Sequence, residues 1–349
     1  MSLLMLDVET IFTVHHRRGP SSSQQCYIST PHTGSQHATM VQGVLIEGGA
    51  IVDINPSTME LIARVPVTSP EGVAAAIARG HEAQLTWSAT PLGDRVALLK
   101  AACAGLAARK DELVRTIVCE MGKVRGEAEE EVDGAIDKDE YLDHIEAANR
   151  PVRTGGNAVI VRDPHGVVAI CSPWNFPADE MLLLALPALA AGNTVVVKPS
   201  EVAPLTGAIV AEALQAVLPA GVVELVQGDG GVGAALVGGD VQMVAMTGSS
   251  ATGRKIMSAC APDLKRLVLE LGGKDPMVVF ADADLGQAAK DAVDNSLMNC
   301  GQVCCSVERI YVEEVRRRAW WGAAVCACVR CSGVCALKCG VWCVCGKAR

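Results

Sequence analysis

From Gly166 onward the chain alternates short Val-, Ile- and Leu-rich runs with stretches of helical spacing, and this rhythm limits the fold more than any single residue does. The runs are GVVAICS, NTVVVKP, VVELVQG, QMVAMTG, LVLELGG and PMVVF. Between them lie EMLLLALPALAAG, PLTGAIVAEALQAVL, GVGAALVGG and ATGRKIMSACA. Strands that are apolar at nearly every position have both faces buried, as in a parallel sheet covered by helices on both sides. The expected class is α/β, with a Rossmann-like parallel sheet. Half of the 349 residues are hydrophobic and only 3% are aromatic, with Gly and Ala plentiful, which lets helices approach such a sheet closely.

Upstream, AIVDINPSTMELIARVPVTS predicts two strands around an Asn-Pro-Ser turn. Ser69-Pro70-Glu71 then opens a helix, with Ser as cap and Pro in the first turn. RVALLKAACAGLAARK and DELVRTIVCEMGKVRGEAEEEV predict two more helices, and the acids Glu127 to Glu131 are expected on a solvated face. A net charge of −9 with no basic stripe argues against a nucleic-acid surface. No uncharged apolar run is long enough to predict a spanning helix, so no membrane partner is expected.

Ligands of parallel sheets sit beyond the carboxyl ends of the strands. SPWNFP leaves one such end, where Asn175 offers an uncharged amide to a developing oxyanion or simply satisfies its own loop. In KPSE, Lys198 and Glu201 flank Pro199 and Ser200 and could bracket a ribose; a carboxylate there would repel a 2′-phosphate. GDGGVG sets Gly228, Gly230 and Gly233 in G-x-G-x-x-G spacing between a strand and a helix. MTGSSATG repeats the geometry one unit later: Thr247, Gly248 and Ser249 precede a helix start, with Gly253 inside it, and Ser249 could face a pyrophosphate, cap its own helix, or do both. Glu270 in LELGGKDP is a carboxylate at a strand end, where apolar surroundings would raise its pKa and suit a general base.

Taken in order, SPWNFP, VKPSE, the glycine loop, MTGS, LELGGK and GQVC resemble the aldehyde dehydrogenase superfamily from about Ile51 to about Val315. The resemblance implies that Cys304, second after Gln302, is the nucleophile, that Cys305 packs at the start of a strand, and that Cys300 is buried. It implies an oxyanion held by Asn175 and the Cys304 N–H, and Glu270 as the base that activates water. NAD is the implied cofactor, with NADP possible, held by Trp174, Lys198, Ser200, Glu201, Gly228, Gly230, Gly233, Thr247, Gly248, Ser249, Gly253 and Leu271. Keeping Glu270 favours hydrolysis over transfer to coenzyme A. The implied partner is a small aldehyde. A homo-oligomer is the family's habit, although its pairing surface is incomplete in this sequence.

The expected organisation is a disordered leader or transit segment over 1–45, then an NAD(P)-binding domain over 46–270 with an oligomerisation hairpin near 150–165. The start of a catalytic domain follows over 271–315, and a cysteine-rich tail over 316–349. After YVEEV the text departs from the family, and seven of the fifteen cysteines crowd into it (Cys326, Cys328, Cys331, Cys335, Cys339, Cys343, Cys345). A shifted reading frame or retained intron explains such text better than a Zn or Cu(I) module, which would show paired CxxC knuckles. Without the family's remaining catalytic segment, the pocket around Cys304 is expected to lack a wall. The alternative function is then an inactive dinucleotide-binding or interaction protein. The other cysteines read as reduced thiols of a cytoplasmic protein; the Ser/Thr-rich, acid-free stretch over 15–40 leaves a mitochondrial or plastid address open, although Asp7 and Glu9 precede it.

Overall fold

The computed structural model describes residues 44–316, 319, 320 and 323, together with the backbone of β1 (Ser2–Leu3), β2 (Thr39–Val41) and β15 (Trp342–Lys347). The proposed leader and the cysteine-rich tail thus fall almost wholly outside the described residues. Two compact units divide the chain between Leu271 and Gly272.

In the first unit β2 pairs with β3 (Val44–Glu47), β3 with β4 (Ala50–Ile54) and β4 with β5 (Leu61–Pro66), all antiparallel, so order begins before Ile51. Helix α1 (Pro70–Ala89) starts as expected, with Ser69 Oγ accepting from Gly72 N–H at 3.1 Å. Helices α2 (Leu92–Leu106), α3 (Lys110–Met121), α4 (Arg125–Ile136) and α5 (Asp139–Asn149) follow. The single helix predicted from Asp111 to Val132 is two, because Gly122 ends α3 in the left-handed region at φ +81°. The short strands β6 (Val152–Arg153) and β7 (Val159–Ile160) form a hairpin that exposes Val152, Val159 and Ile160.

The core of this unit is a parallel sheet: β8 (Val167–Cys171), β9 (Thr194–Lys198), β10 (Val223–Leu225), β11 (Met243–Gly248) and β12 (Arg266–Leu271), in the order β10-β9-β8-β11-β12. The crossovers are α6 (Asp179–Ala190), α7 (Pro204–Gln215), α8 (Gly230–Gly238) and α9 (Ser250–Cys260). Side chains alternate as the pleat requires. Val168, Ile170, Val195 and Val197 enter a core shared with α2 through α7. Val167, Ala169, Val196 and Val244 enter the opposite core with α1, α8 and α9. Burial on both faces explains why these strands read as unbroken apolar runs.

In the second unit β13 (Asp275–Val279) pairs in parallel with β14 (Val307–Glu313), and β14 with β15, across the crossover α10 (Leu285–Gly301). Val279, Ala289, Ala292, Ile310, Val312 and Trp320 make its core.

Candidate active site

The chain runs from β8 through β9 to β10 in one direction across the sheet, then returns to β11 and β12 on the other side of β8. The order reverses between β8 and β11, and a crevice opens beyond strand carboxyl ends at such a switch point. The predicted residues of the first unit lie at these strand ends: Trp174 and Asn175 after β8, Lys198 at the end of β9 with Glu201 beyond it, Gly228 after β10, Thr247 and Gly248 at the end of β11 with Ser249 beyond them, and Glu270 at the end of β12.

The turn after β8 is held from behind. Lys123 Nζ donates to the Asn175 carbonyl at 2.8 Å and to Glu131 Oε2 at 2.5 Å, and lies 4.3 Å from the Phe176 ring centroid. Asn175 is half-buried, whereas Trp174 is exposed. The residue before α6, Ala178, has no side chain to cap it, so Glu131 supplies the cap: its Oε1 accepts from Ala178 N–H at 2.9 Å and Asp179 N–H at 3.4 Å. Glu131 is therefore buried, not on a solvated face as expected.

Lys198 is 6% exposed, and its three N–H donors go to Pro199 O at 2.7 Å, Gly228 O at 2.8 Å and Glu201 Oε2 at 3.3 Å. It thereby ties the KPSE turn to the glycine loop, and a ribose hydroxyl would compete with it for Glu201. Ser200 Oγ accepts from Val202 N–H at 3.3 Å within the same turn. Of the G-x-G-x-x-G glycines only Gly228 is sterically required: a Cβ there would lie 2.2 Å from Val232 Cγ2. Gly230 faces open space, and a Cβ on Gly233 would make ordinary contact with Lys198. Asp229 caps α8 by accepting from Gly231 N–H at 2.9 Å. A carboxylate in that position opposes a phosphate at the same helix start.

The second loop is better suited to an anion. Ser249 is exposed, and its neutral hydroxyl caps α9 by accepting from Thr252 N–H at 3.1 Å. Gly253 lets α9 settle onto β12, since a Cβ there would sit 3.0 Å from Leu271 Cδ2. Gly248 pairs in register with Leu271, and Thr247 with Glu270.

Glu270 is exposed within its unit, so the apolar surroundings expected for it are absent there. Burial does push up Glu180, in the first turn of α6; it accepts from the Thr247 hydroxyl at 3.2 Å, and the charges of Asp179, Glu270 and Glu131 raise it further. Sequence reasoning passed over Glu180, although DE directly after PWNFPA places it at that helix start.

Cys304 belongs to the second unit and is described within it. Helix α10 breaks at Met298, and Asn299, Cys300 and Gly301 follow with φ of 56°, 59° and 71°. Left-handed backbone at a non-glycine such as Cys300 is strained, and such strain clusters at functional sites. A turn closed by Ser306 N–H to Val303 O at 3.1 Å carries Cys304 and Cys305 at its corner, and Gly273 N–H donates to Cys304 O at 3.4 Å. All three cysteines here are exposed. The helix break turns Cys300 outward instead of burying it, and Cys305 lies in the turn because β14 starts only at Val307.

A sequence model described as the aldehyde dehydrogenase family matches residues 46–326. The chain belongs to that family. Its fold agrees: aldehyde dehydrogenase C of Pseudomonas syringae, solved as a cysteine-to-alanine variant with NAD+ and octanal, superposes with a TM-score of 0.77 at 33% identity, over 81% of this chain and 59% of that one. Lactaldehyde dehydrogenase of Escherichia coli is 39% identical over 80% of this chain and 60% of its own length. Mitochondrial succinate-semialdehyde dehydrogenase of Arabidopsis thaliana is also 39% identical, over 74% of this chain and 51% of its own. D-glyceraldehyde dehydrogenase (NADP+) of Picrophilus torridus is 36% identical over 76% and 56%. The chain thus spans about half to three-fifths of these relatives. The family match continues past Val315, where the resemblance was expected to stop. No helix among the described residues is long and apolar enough to cross a membrane.

Proposed function

We propose that this aldehyde dehydrogenase family chain oxidises a small aldehyde to its carboxylic acid through Cys304, using NAD. The observation that carries the reading is the gathering of Asn175, Glu201, Ser249 and Glu270 at adjacent strand ends around the switch point. The residues fit a dinucleotide: Gly228 leaves no Cβ in the loop, Glu201 offers a ribose its carboxylate, and α9 opens with an exposed neutral cap for a pyrophosphate. Ser200, Gly230, Gly233 and Gly248 shape these loops, with Trp174 and Leu271 exposed at the rim. A carboxylate near the ribose disfavours a 2′-phosphate, so NAD is preferred to NADP.

When bound, the dinucleotide accepts a hydride from the substrate carbon. The residues do the rest. Cys304 thiolate forms a C–S bond to the aldehyde carbon, and the Asn175 amide and the Cys304 N–H donate to the oxygen that becomes negative. Loss of hydride leaves a thioester on Cys304. Glu270 takes a proton from water, hydroxide attacks the acyl carbon, and the C–S bond breaks to release the acid and restore the thiolate.

The test mixes the purified chain with NAD and lactaldehyde, succinate semialdehyde or glyceraldehyde and follows NADH. A burst stoichiometric with protein that Cys304→Ser removes is expected. Nucleotide binding with no burst would instead favour an inactive dinucleotide-binding protein. A cytoplasmic location, with a mitochondrial or plastid address as the alternative, and a homo-oligomeric state are part of this proposal and are read by fractionation and light scattering.

A further inference from the structure

We infer that Lys123, with Glu131 as its counter-charge, is a positioning residue for the Trp174–Pro177 turn and so sets where the Asn175 amide points. This rests on the role proposed above for Asn175. The pair sits behind the turn, with side chains 0% and 1% exposed, so neither touches solvent or a bound molecule. Its contacts are nevertheless all directed at the turn and the helix start beyond it. Lys123 holds the Asn175 carbonyl at 2.8 Å and faces the Phe176 ring, while Glu131 takes the first two amides of α6. Lys138 adds a second tie, to Asp179 at 2.5 Å.

A buried ion pair is weak evidence for stability, because desolvation of both charges offsets their attraction. Directional specificity is the better explanation here. The Asn175 carbonyl and the Ala178 and Asp179 amides are polar groups inside a turn stiffened by Pro173 and Pro177, and Lys123 and Glu131 satisfy them in one arrangement. The lysine approaches from α3's carboxyl end, just after Gly122, whose left-handed geometry turns the chain so that Lys123 enters the core.

The experiment compares the full chain with Glu131→Gln and with Lys123→Met/Glu131→Gln. The single variant keeps volume and an acceptor for the α6 amides. The double variant also removes the lysine's hold on Asn175 without leaving a buried charge unpaired. Hydrogen exchange is measured over the peptide spanning 173–182 and over peptides of β8, β9 and β11. In the double variant, exchange in 173–182 should quicken at least about tenfold while the strand peptides stay unchanged. The NADH burst should slow by about tenfold to a hundredfold at saturating nucleotide, with nucleotide affinity unchanged, as expected of a misplaced oxyanion donor. Asn175→Ala, which removes the donor itself, should slow the burst at least as much, by about 10²–10³, with normal exchange. Unchanged exchange in 173–182, or quickening shared equally by every peptide, would overturn the inference. If wild-type protein gives no burst, the aldehyde reading fails while the exchange data still decide the positioning role.

Discussion

Glu120 braces the start of α7, just beyond the KPSE turn, from the same hidden layer, and its removal has a calculable cost. The residue is 2% exposed and reaches from α3 to the start of α7, where it accepts from Leu205 N–H at 2.6 Å, Thr206 N–H at 2.9 Å and Thr206 Oγ1 at 2.5 Å. The α7 cap residue, Ala203, offers no side-chain acceptor, and Pro204 has no N–H to satisfy. Glu120→Ala thus strands two backbone donors and a hydroxyl. Each buried donor without a partner costs about 1–3 kcal/mol. Relief of a buried carboxyl group offsets part of this, so a net loss of about 2–4 kcal/mol is expected, read as a lower urea midpoint at unchanged slope.

The sign of the pH dependence follows from burial. It pushes Glu120 up to about 8, against the pull of the Thr206 and Leu205 donors, and pushes Asp53 up to about 6. Both groups bind protons more tightly folded than unfolded. Their contribution is complete below the ordinary values of 4.5 and 3.8 and is lost as pH rises through about 8 and about 6. The stability of wild type relative to Glu120→Gln should therefore fall between pH 5 and pH 9 in urea titrations. A difference that stayed flat or grew would mean the donors outweigh burial, and would refute the reasoning.

Gly228→Ala would set a Cβ 2.2 Å from Val232 Cγ2 at a φ of +152°, so a loss of about 2–4 kcal/mol and weaker NAD binding are expected from thermal melts and nucleotide titration. Glu201→Gln removes the charge that would repel a 2′-phosphate; the ratio of NADP to NAD affinity should rise, and an unchanged ratio would take Glu201 out of the ribose site. Asn175→Ala should slow the burst by about 10²–10³ while leaving NAD affinity intact.

The parallel strands were legible because burial on both faces leaves a continuous apolar signal, and the strand-end residues followed from the topology. What escaped has particular causes. The α3–α4 break was hidden because helical spacing continues on both sides of Gly122, and α5 was hidden by the acids of DEYLDHIEAAN. Glu120 and Glu131 serve amides far along the chain, at Leu205 and Ala178, which no local pattern reports. One clue existed for Glu131: it shares a helical face with Ala128, Val132 and Ala135, all buried. The exposure of Cys300 depends on a left-handed turn that sequence periodicity does not encode.

The most direct measurement is the mass of the acylated protein. The chain is incubated with NAD and succinate semialdehyde, quenched in acid and digested, and Glu270→Gln is treated in parallel. An acyl group on Cys304, sparse in wild type and accumulating when Glu270 can no longer activate water, is the predicted result. An acyl group on Cys300 or Cys305, or none in either protein while NADH still forms, would contradict it.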